Sequence, residues 1–274
     1  MNFLPSTTQK LKAALAEDAG KGDRTSQLLI PANAKGRAVI IARQSGIFCG
    51  ERVVREVLRL AGRRLALRFF VKDGGRFSKN QKVIEVKGNV RAILKAERTA
   101  LNFLGRLSGI AALTRQFVDQ VKGFKVAILD TRKTTPLWRE LEKEAVRIGG
   151  GKNHRFGLFD GLFVKENHRP FGNFKKLRRF PKQFEIEVRN YKELIEAVVL
   201  QPHTILFDNF KPGPLKKAVN LARKLNPEIL LEASGGITLN NVRAFAATGV
   251  DQISIGALTH SVKSIDFSLL LLPS

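Results

Sequence analysis

The sequence predicts an α/β protein in two parts, a small α+β domain followed by a run of parallel βα units, and three observations carry that prediction. Short apolar runs fill the second half: VAIL, GLFVK, FEIEV, TILFD, ILLEA and QISIG. They alternate with helical segments, and the last four recur roughly every 20 to 25 residues, the rhythm of βα units. The first half lacks that rhythm, and between the halves apolar residues recur at helical spacing from Val90 to Val121.

Taken in order, roughly residues 6 to 18 form a short amphipathic helix. GRAVIIAR, LALRFFV and QKVIEVKG read as strands, interrupted by the helical ERVVREVLRLAG. The stretch from Val90 to Val121 reads as one long or kinked helix joining the two parts, because Gly105 and Gly109 interrupt it. In the second half YKELIEAVVL, PLKKAVNLARKL and NNVRAFAATG are helices, and Asn190 with Glu193 is placed to form a capping box for the first of them. Period alone leaves open whether the parallel strands close into a barrel or stay an open sheet.

A chain of 274 residues is long enough to bury a sizeable core. Its 48 Lys and Arg against 24 Asp and Glu leave a formal charge of +24, which draws phosphates, polycarboxylates, nucleic acids or anionic membranes without choosing among them. Cys49 stands alone, which excludes an internal disulfide, a cysteine metal cluster and a redox pair, and fits a reducing compartment. The first twenty residues lack an apolar signal core and no apolar run approaches a membrane span, so the expectation is a soluble, cytoplasmic protein with no membrane partner.

Chemistry collects where the strands of the second half end. VAILD runs into Thr131, Arg132 and Lys133, and GLFV into Lys165, Asn167 and His168. FEIE ends at Glu187, TILFD at Asp208 and Asn209, LLEA at Ser234, Gly235 and Gly236, and ISIG at Gly256. Any one of these is an ordinary turn residue. Six in succession point to a site, because the carboxyl ends of parallel strands open onto one face.

The residue types define the ligands. Glycine turns in ASGGIT and ISIGAL offer backbone N–H groups to a phosphate. Arg132, Lys133, Arg155 and Lys165, with His154 beside them, suit carboxylates, which arginine binds bidentately. Glu187 and Asp208 suit Mg²⁺, directly or through water. The site therefore expects a phosphorylated, metal-bound substrate beside a carboxylate-rich one. Other residues have plainer readings: Arg139, Glu140, Lys143 and Glu144 as an ion-paired helix face, Trp138 as core or interface, His203 as structural and His260 as either structural or functional. Asn173 to Lys182 is an exposed basic loop whose only aromatics are phenylalanines, a weak basis for base stacking.

ERTALNFLGRLSGIA, DTRKTTP, LEKEAVRIGGGKNHR, VKENH, EIEV, FDN, EASGGI and GVDQISIGALTHS, with the early EDAGKGDRTS, together resemble the quinolinate phosphoribosyltransferase family, also called carboxylating nicotinate-nucleotide pyrophosphorylases. The resemblance spans nearly the whole chain. It implies an N-terminal α/β sandwich domain (1–108) joined to a seven-stranded incomplete α/β, TIM-like barrel (109–266), with the tail 267–274 returning to the first domain. It implies a pentosyltransferase of de novo NAD biosynthesis, converting quinolinate and phosphoribosyl pyrophosphate to nicotinate mononucleotide, pyrophosphate and CO₂.

Carried over motif by motif, the resemblance assigns Arg132, Lys133, His154, Arg155 and Lys165 to quinolinate, with Arg98 of the partner subunit. It assigns Glu187 and Asp208 to the ribose hydroxyls and Mg²⁺, and Ser234, Gly235, Gly236 and Gly256 to the 5-phosphate. Lys133, Lys165, Glu187 and Asp208 are the implied catalytic residues. A homodimer with shared active sites follows, higher assembly being left open, and no tightly bound organic cofactor or nucleic acid is expected. Leu137 and Trp138 stand where the family commonly has a glycine after the proline, Glu144 where it has tyrosine, and Arg169 where an aliphatic residue is usual. Alternatives are a phosphoribosyltransferase-like paralogue with another acceptor, such as the one found with molybdenum transport genes, a nicotinate phosphoribosyltransferase, and a non-catalytic nucleic-acid binder on the same fold.

Overall fold

The structure, a computed structural model, describes residues 6–62, 65–180 and 182–272. Its first helix, α1 (Thr7–Ala19), starts at a complete capping box: Ser6 Oγ accepts from the Gln9 N–H, and the Gln9 side chain accepts from the Ser6 N–H. A short helix, α2 (Arg24–Leu29), begins where the Asp23 carboxylate accepts from the Ser26 N–H. There follow β1 (Lys35–Ala42), β2 (Gly46–Ile47), α3 (Glu51–Ala61), β3 (Ala66–Phe69), β4 (Arg76–Phe77) and β5 (Lys82–Asn89). Val53, Val54, Val57 and Leu58 line one stripe of α3 and are buried, as their spacing dictates. The chain then enters α4 (Val90–Gln120), a single unbroken helix of 31 residues.

The chain divides into two compact units. The first gathers the residues up to Leu113, Thr135–Gly149 and those from Val262 onward; the second holds Thr114–Thr134 and Gly150–Ser261. In the second unit β6 (Ala127–Leu129) opens a parallel sheet. The chain passes through α5 (Arg139–Ile148), which belongs to the first unit, and returns to β7 (Leu162–Val164), β8 (Phe184–Val188), β9 (Thr204–Asp208), β10 (Leu230–Ser234) and β11 (Gln252–Ser254). The strand order is β6-β11-β10-β9-β8-β7, all neighbours parallel. Beyond β6 a seventh position survives as an isolated parallel bridge at Lys152, whose N–H donates to Ile128 O and whose carbonyl accepts from the Asp130 N–H. The sheet is therefore the unclosed, TIM-like one that the resemblance implied.

Crossovers α6 (Tyr191–Val199), α7 (Pro212–Leu225) and α8 (Val242–Ala246) follow β8, β9 and β10, and α9 (Ala257–His260) follows β11. Asn190 caps α6 by accepting from the Glu193 N–H at 2.9 Å, but the Glu193 carboxylate accepts from the Arg189 N–H, one residue earlier than a capping box requires. Among the described residues the connection between β7 and β8 carries only two 3₁₀ turns, Glu166–His168 and Phe174–Arg179. The described residues of the basic loop of Asn173 to Lys182 are mostly exposed, as read from the sequence.

The last strand, β12 (Phe267–Leu272), pairs antiparallel with β1 and completes the sheet β12-β1-β5-β3 of the first unit. The segment leading into it explains why Gly105 and Gly109 do not break α4. A Cβ on Gly105 would stand 2.6 Å from Ile265 O, a Cβ on Gly109 would collide with Lys263 O, and the Ile265 N–H donates to Gly105 O. Both glycines admit a close backbone approach. On α5, Glu140 and Glu144 pair with Arg52, but Lys143 is buried rather than solvated. Glu142, wholly buried, accepts from the Arg106 guanidinium at 2.9 Å and from Thr135.

Candidate active site

The second unit gathers most of the residues that the sequence marks. β6 delivers Arg132 and Lys133 on a tight turn in which the Lys133 N–H donates to Thr131 Oγ1 and the Thr134 N–H to Arg132 O. Thr259 Oγ1 donates to Lys133 O at 2.7 Å, tying this turn to the one after β11. Lys133 Cδ lies 3.0 Å from where a Cβ on Gly256 would stand, so the missing side chain at Gly256 makes room for the lysine stem.

Glu187, at the end of β8, is buried and receives Lys165 Nζ at 3.3 Å from the neighbouring strand end. Arg169, one of the departures from the family pattern, donates to Glu187 O and pairs with Glu193, which anchors the backbone behind that carboxylate. Lys165 Nζ sits 4.5 Å from the centre of the Phe163 ring and Arg155 Cζ 5.1 Å from it. Arg155 donates to Gly161 O, while its buried Nε has no hydrogen-bond partner among the described residues. Burial, and then the positive charge of Arg132, lower the Arg155 pKa. Cations that repel across a partly buried space favour an anion between them.

On the far strands Asp208 accepts from Asn209 Nδ2 at 2.8 Å. Asn209 is held at φ +58°, with its N–H donating to Ser234 O. Gly235 (φ +94°) lies against the Asn209 side chain, where a Cβ would collide. Gly236 (φ +62°) has open space where a Cβ would project, and Asn241 holds this turn by donating to Gly236 O and accepting from the Thr238 N–H. The result is a rigid turn of exposed backbone, the form in which phosphate is held by main-chain N–H groups.

His154 occupies a half-buried cluster that the sequence alone reveals only in part. Asp130, fully buried, accepts from Asn153 Nδ2 and from the His154 N–H. The ring's Nε2 lies 2.9 Å from Glu185 and 3.7 Å from Glu232, and its Nδ1 accepts from the Arg155 N–H at 2.9 Å. Burial and the nearby Glu185 charge push Glu232 up to about 7. His154, Glu185 and Glu232 each offer a ligand atom within 4.8 Å of the others, a donor set that a divalent cation could take. The cluster borders a cavity of about 300 Å³ that Arg155 and His203 also line.

Glu185 was legible only as the alternate position to Glu187, two residues apart on one face of a strand, and Glu232 only as a carboxylate inside an apolar run. Arg98 is exposed on the part of α4 that belongs to the first unit. Of the other departures, Trp138 stacks on Phe103 with ring centres 4.5 Å apart, and Leu137 is exposed at φ +66°.

Fold and site together define a parallel α/β protein that presents cations, carboxylates and bare glycine turns at the carboxyl ends of its strands. The chain belongs to the quinolinate phosphoribosyl transferase family: the model of the family's N-terminal domain matches residues 23–108 and that of its C-terminal domain residues 110–270. It is 41% identical over 261 residues to a probable carboxylating nicotinate-nucleotide pyrophosphorylase of Bacillus subtilis, covering 92% of this chain and 89% of that protein. A counterpart from Methanocaldococcus jannaschii is also 41% identical, with 94% and 95% covered. Among solved structures, the nicotinate-nucleotide pyrophosphorylase of Francisella tularensis superposes with a TM-score of 0.90 at 39% identity, over 97% of this chain and 95% of that one.

Proposed function

We propose that this chain is a quinolinate phosphoribosyltransferase, making nicotinate mononucleotide, pyrophosphate and CO₂ from quinolinate and phosphoribosyl pyrophosphate in NAD biosynthesis. The observation that carries this reading is the meeting of two independent lines. Family membership extends over nearly the whole chain, and the strand ends pair a cationic acceptor end with carboxylates and glycine turns suited to a sugar phosphate.

In this reading Arg132, Lys133, Arg155 and Lys165 hold the two carboxylates of quinolinate, Arg98 of the partner subunit completes the pocket, and His154, whose two ring nitrogens face Glu185 and the Arg155 N–H, serves the pocket from behind Arg155. Ser234, Gly235, Gly236 and Gly256 take the 5-phosphate, and Glu187 and Asp208 face the ribose hydroxyls. Those two carboxylates are the hard oxygen donors that Mg²⁺ takes; bound there, the ion would neutralise charge on the pyrophosphate. The pyridine nitrogen donates its lone pair to C1 of the ribose as the C1–O bond to pyrophosphate breaks, and the residues hold nitrogen and leaving group in line. The ring nitrogen is then cationic. The C2–carboxylate bond breaks, CO₂ leaves, its bonding pair passes to C2 of the ring, and a proton from water fills that position. Lys133 and Lys165 position and neutralise anions, with no covalent nucleophile.

A shared site makes the homodimer the smallest fully active form. Among the described residues no helix is long and apolar enough to cross a membrane, which fits a cytoplasmic enzyme. The test is turnover by purified protein with phosphoribosyl pyrophosphate and Mg²⁺, offering quinolinate and nicotinate in parallel. Product from quinolinate alone is expected; product from nicotinate alone, or from neither, would overturn the proposal.

A further inference from the structure

The carboxylates behind His154, Glu232 buried and Glu185 half-buried, have no part in the chemistry above, yet their geometry is specific. The Arg155 N–H donates to His154 Nδ1 at 2.9 Å, so that nitrogen presents its lone pair and the ring hydrogen sits on Nε2. Nε2 in turn faces two carboxylate acceptors, Glu185 at 2.9 Å and Glu232 Oε1 at 3.7 Å. Glu232 is 1% exposed and this oxygen has no hydrogen-bond partner among the described residues, so it is a second acceptor on the same side of the ring. From below, Asp130 accepts from the His154 N–H and from Asn153, fixing the backbone on which the ring is mounted.

The same facts weigh against a metal ion here. An imidazole that ligates through Nε2 carries its hydrogen on Nδ1 and donates it to a carbonyl, carboxylate or water. At His154 that atom faces an N–H donor instead, so a cation would have to break the bond to Arg155.

Resting on the function proposed above, we infer that Glu185 and Glu232 are positioning residues of the acceptor pocket, which hold His154 as the Nε2–H tautomer and through it set the backbone of Arg155. The connection runs without a gap: carboxylate to Nε2–H, Nδ1 to the Arg155 N–H, and the Arg155 side chain to Gly161 O and the Phe163 ring. Lost acceptors would free the hydrogen to move to Nδ1, where it would oppose the Arg155 N–H and shift the guanidinium. The phosphoribosyl end shares none of these bonds.

Two measurements test this. Nitrogen-15 NMR of the unliganded protein, with the His154 signals assigned by loss in His154→Gln, should show a protonated Nε2 and a bare Nδ1. Kinetics should show that Glu185→Met, and less strongly Glu232→Met, raises KM for quinolinate about tenfold or more while KM for phosphoribosyl pyrophosphate stays within about twofold. Glu185→Gln, whose amide oxygen still accepts, should restore most of the loss. A hydrogen on Nδ1 in the wild type would overturn the inference, as would stoichiometric Zn²⁺ or Mn²⁺ retained after dialysis and lost in His154→Gln. So would an equal rise in both KM values. Wild-type protein that failed to use quinolinate at all would sink the proposed function, while the NMR result would still decide the tautomer.

Discussion

Glu232 makes the stability of this fold depend on pH in a predictable direction. The carboxyl is buried to 1% exposure, and burial with the charge of Glu185 raises its pKa from 4.5 to about 7, against smaller opposing pulls, those of Ser254 and Lys165 among them. The folded state therefore holds the proton more tightly than the unfolded state. Its stabilising effect is complete below pH 4.5 and is lost as pH rises through 7. At about 1.4 kcal/mol for each pH unit between the two values, the loss is about 3 kcal/mol, most of it between pH 5 and pH 8. Glu232→Gln keeps the shape and cannot ionise, so it escapes this loss. Urea unfolding of both proteins at pH 5, 6, 7 and 8 measures the difference directly. The variant should gain on the wild type steadily across that range, by about 2 to 3 kcal/mol in all. Two stability curves that run parallel from pH 5 to pH 8 would refute the reasoning and mean that Glu232 is already ionised in the folded protein throughout that range.

Three further predictions test packing, site and assembly. Gly109→Ala sets a methyl group against Lys263 O and should cost about 1 to 3 kcal/mol; Gly213→Ala, with open space before it, should be neutral or gain up to about 1 kcal/mol, and thermal melts of the two separate them. Lys133→Ala and Lys165→Ala should each lower kcat/KM by about a hundredfold or more with melting temperature nearly unchanged, so a variant inactive only because it unfolds would contradict the assigned role. Arg98→Ala mixed with an inactive Lys165→Ala protein should recover activity through hybrid dimers that hold one intact site, and a fully active monomer at assay concentration would contradict the shared site.

The parallel half was legible because local and global signals agree there. All six apolar runs became strands, since a buried parallel strand is apolar on both faces and each is bounded by turn residues. The seventh was not, because GGGKNHR contains no apolar run and its pairing shrinks to Lys152 alone. Gly105 and Gly109 read as interruptions because helix propensity is local, whereas the backbone of Lys263 to Ile265 that requires them lies about 150 residues away in sequence. Candidate site residues at strand ends were visible as unusual neighbours of apolar runs. Glu185 and Glu232 were less so, because a carboxylate within a strand reads as a solvent-facing position until the structure shows it turned toward His154. Lys143 misled for the opposite reason: its spacing with Glu140 and Glu144 is that of a surface pair, yet α5 buries it.

The central claim is that one site joins a phosphoribosyl group to a pyridine dicarboxylate and then removes the carboxylate beside the new bond. Quinolinate labelled with carbon-13 at the 2-carboxylate, and separately at the 3-carboxylate, tests it in a single experiment with phosphoribosyl pyrophosphate and Mg²⁺. Label from the 2-position should appear wholly as CO₂, one for each nicotinate mononucleotide formed, and label from the 3-position should stay in the nucleotide. Nucleotide formed without labelled CO₂, or CO₂ released without phosphoribosyl pyrophosphate, would contradict the account.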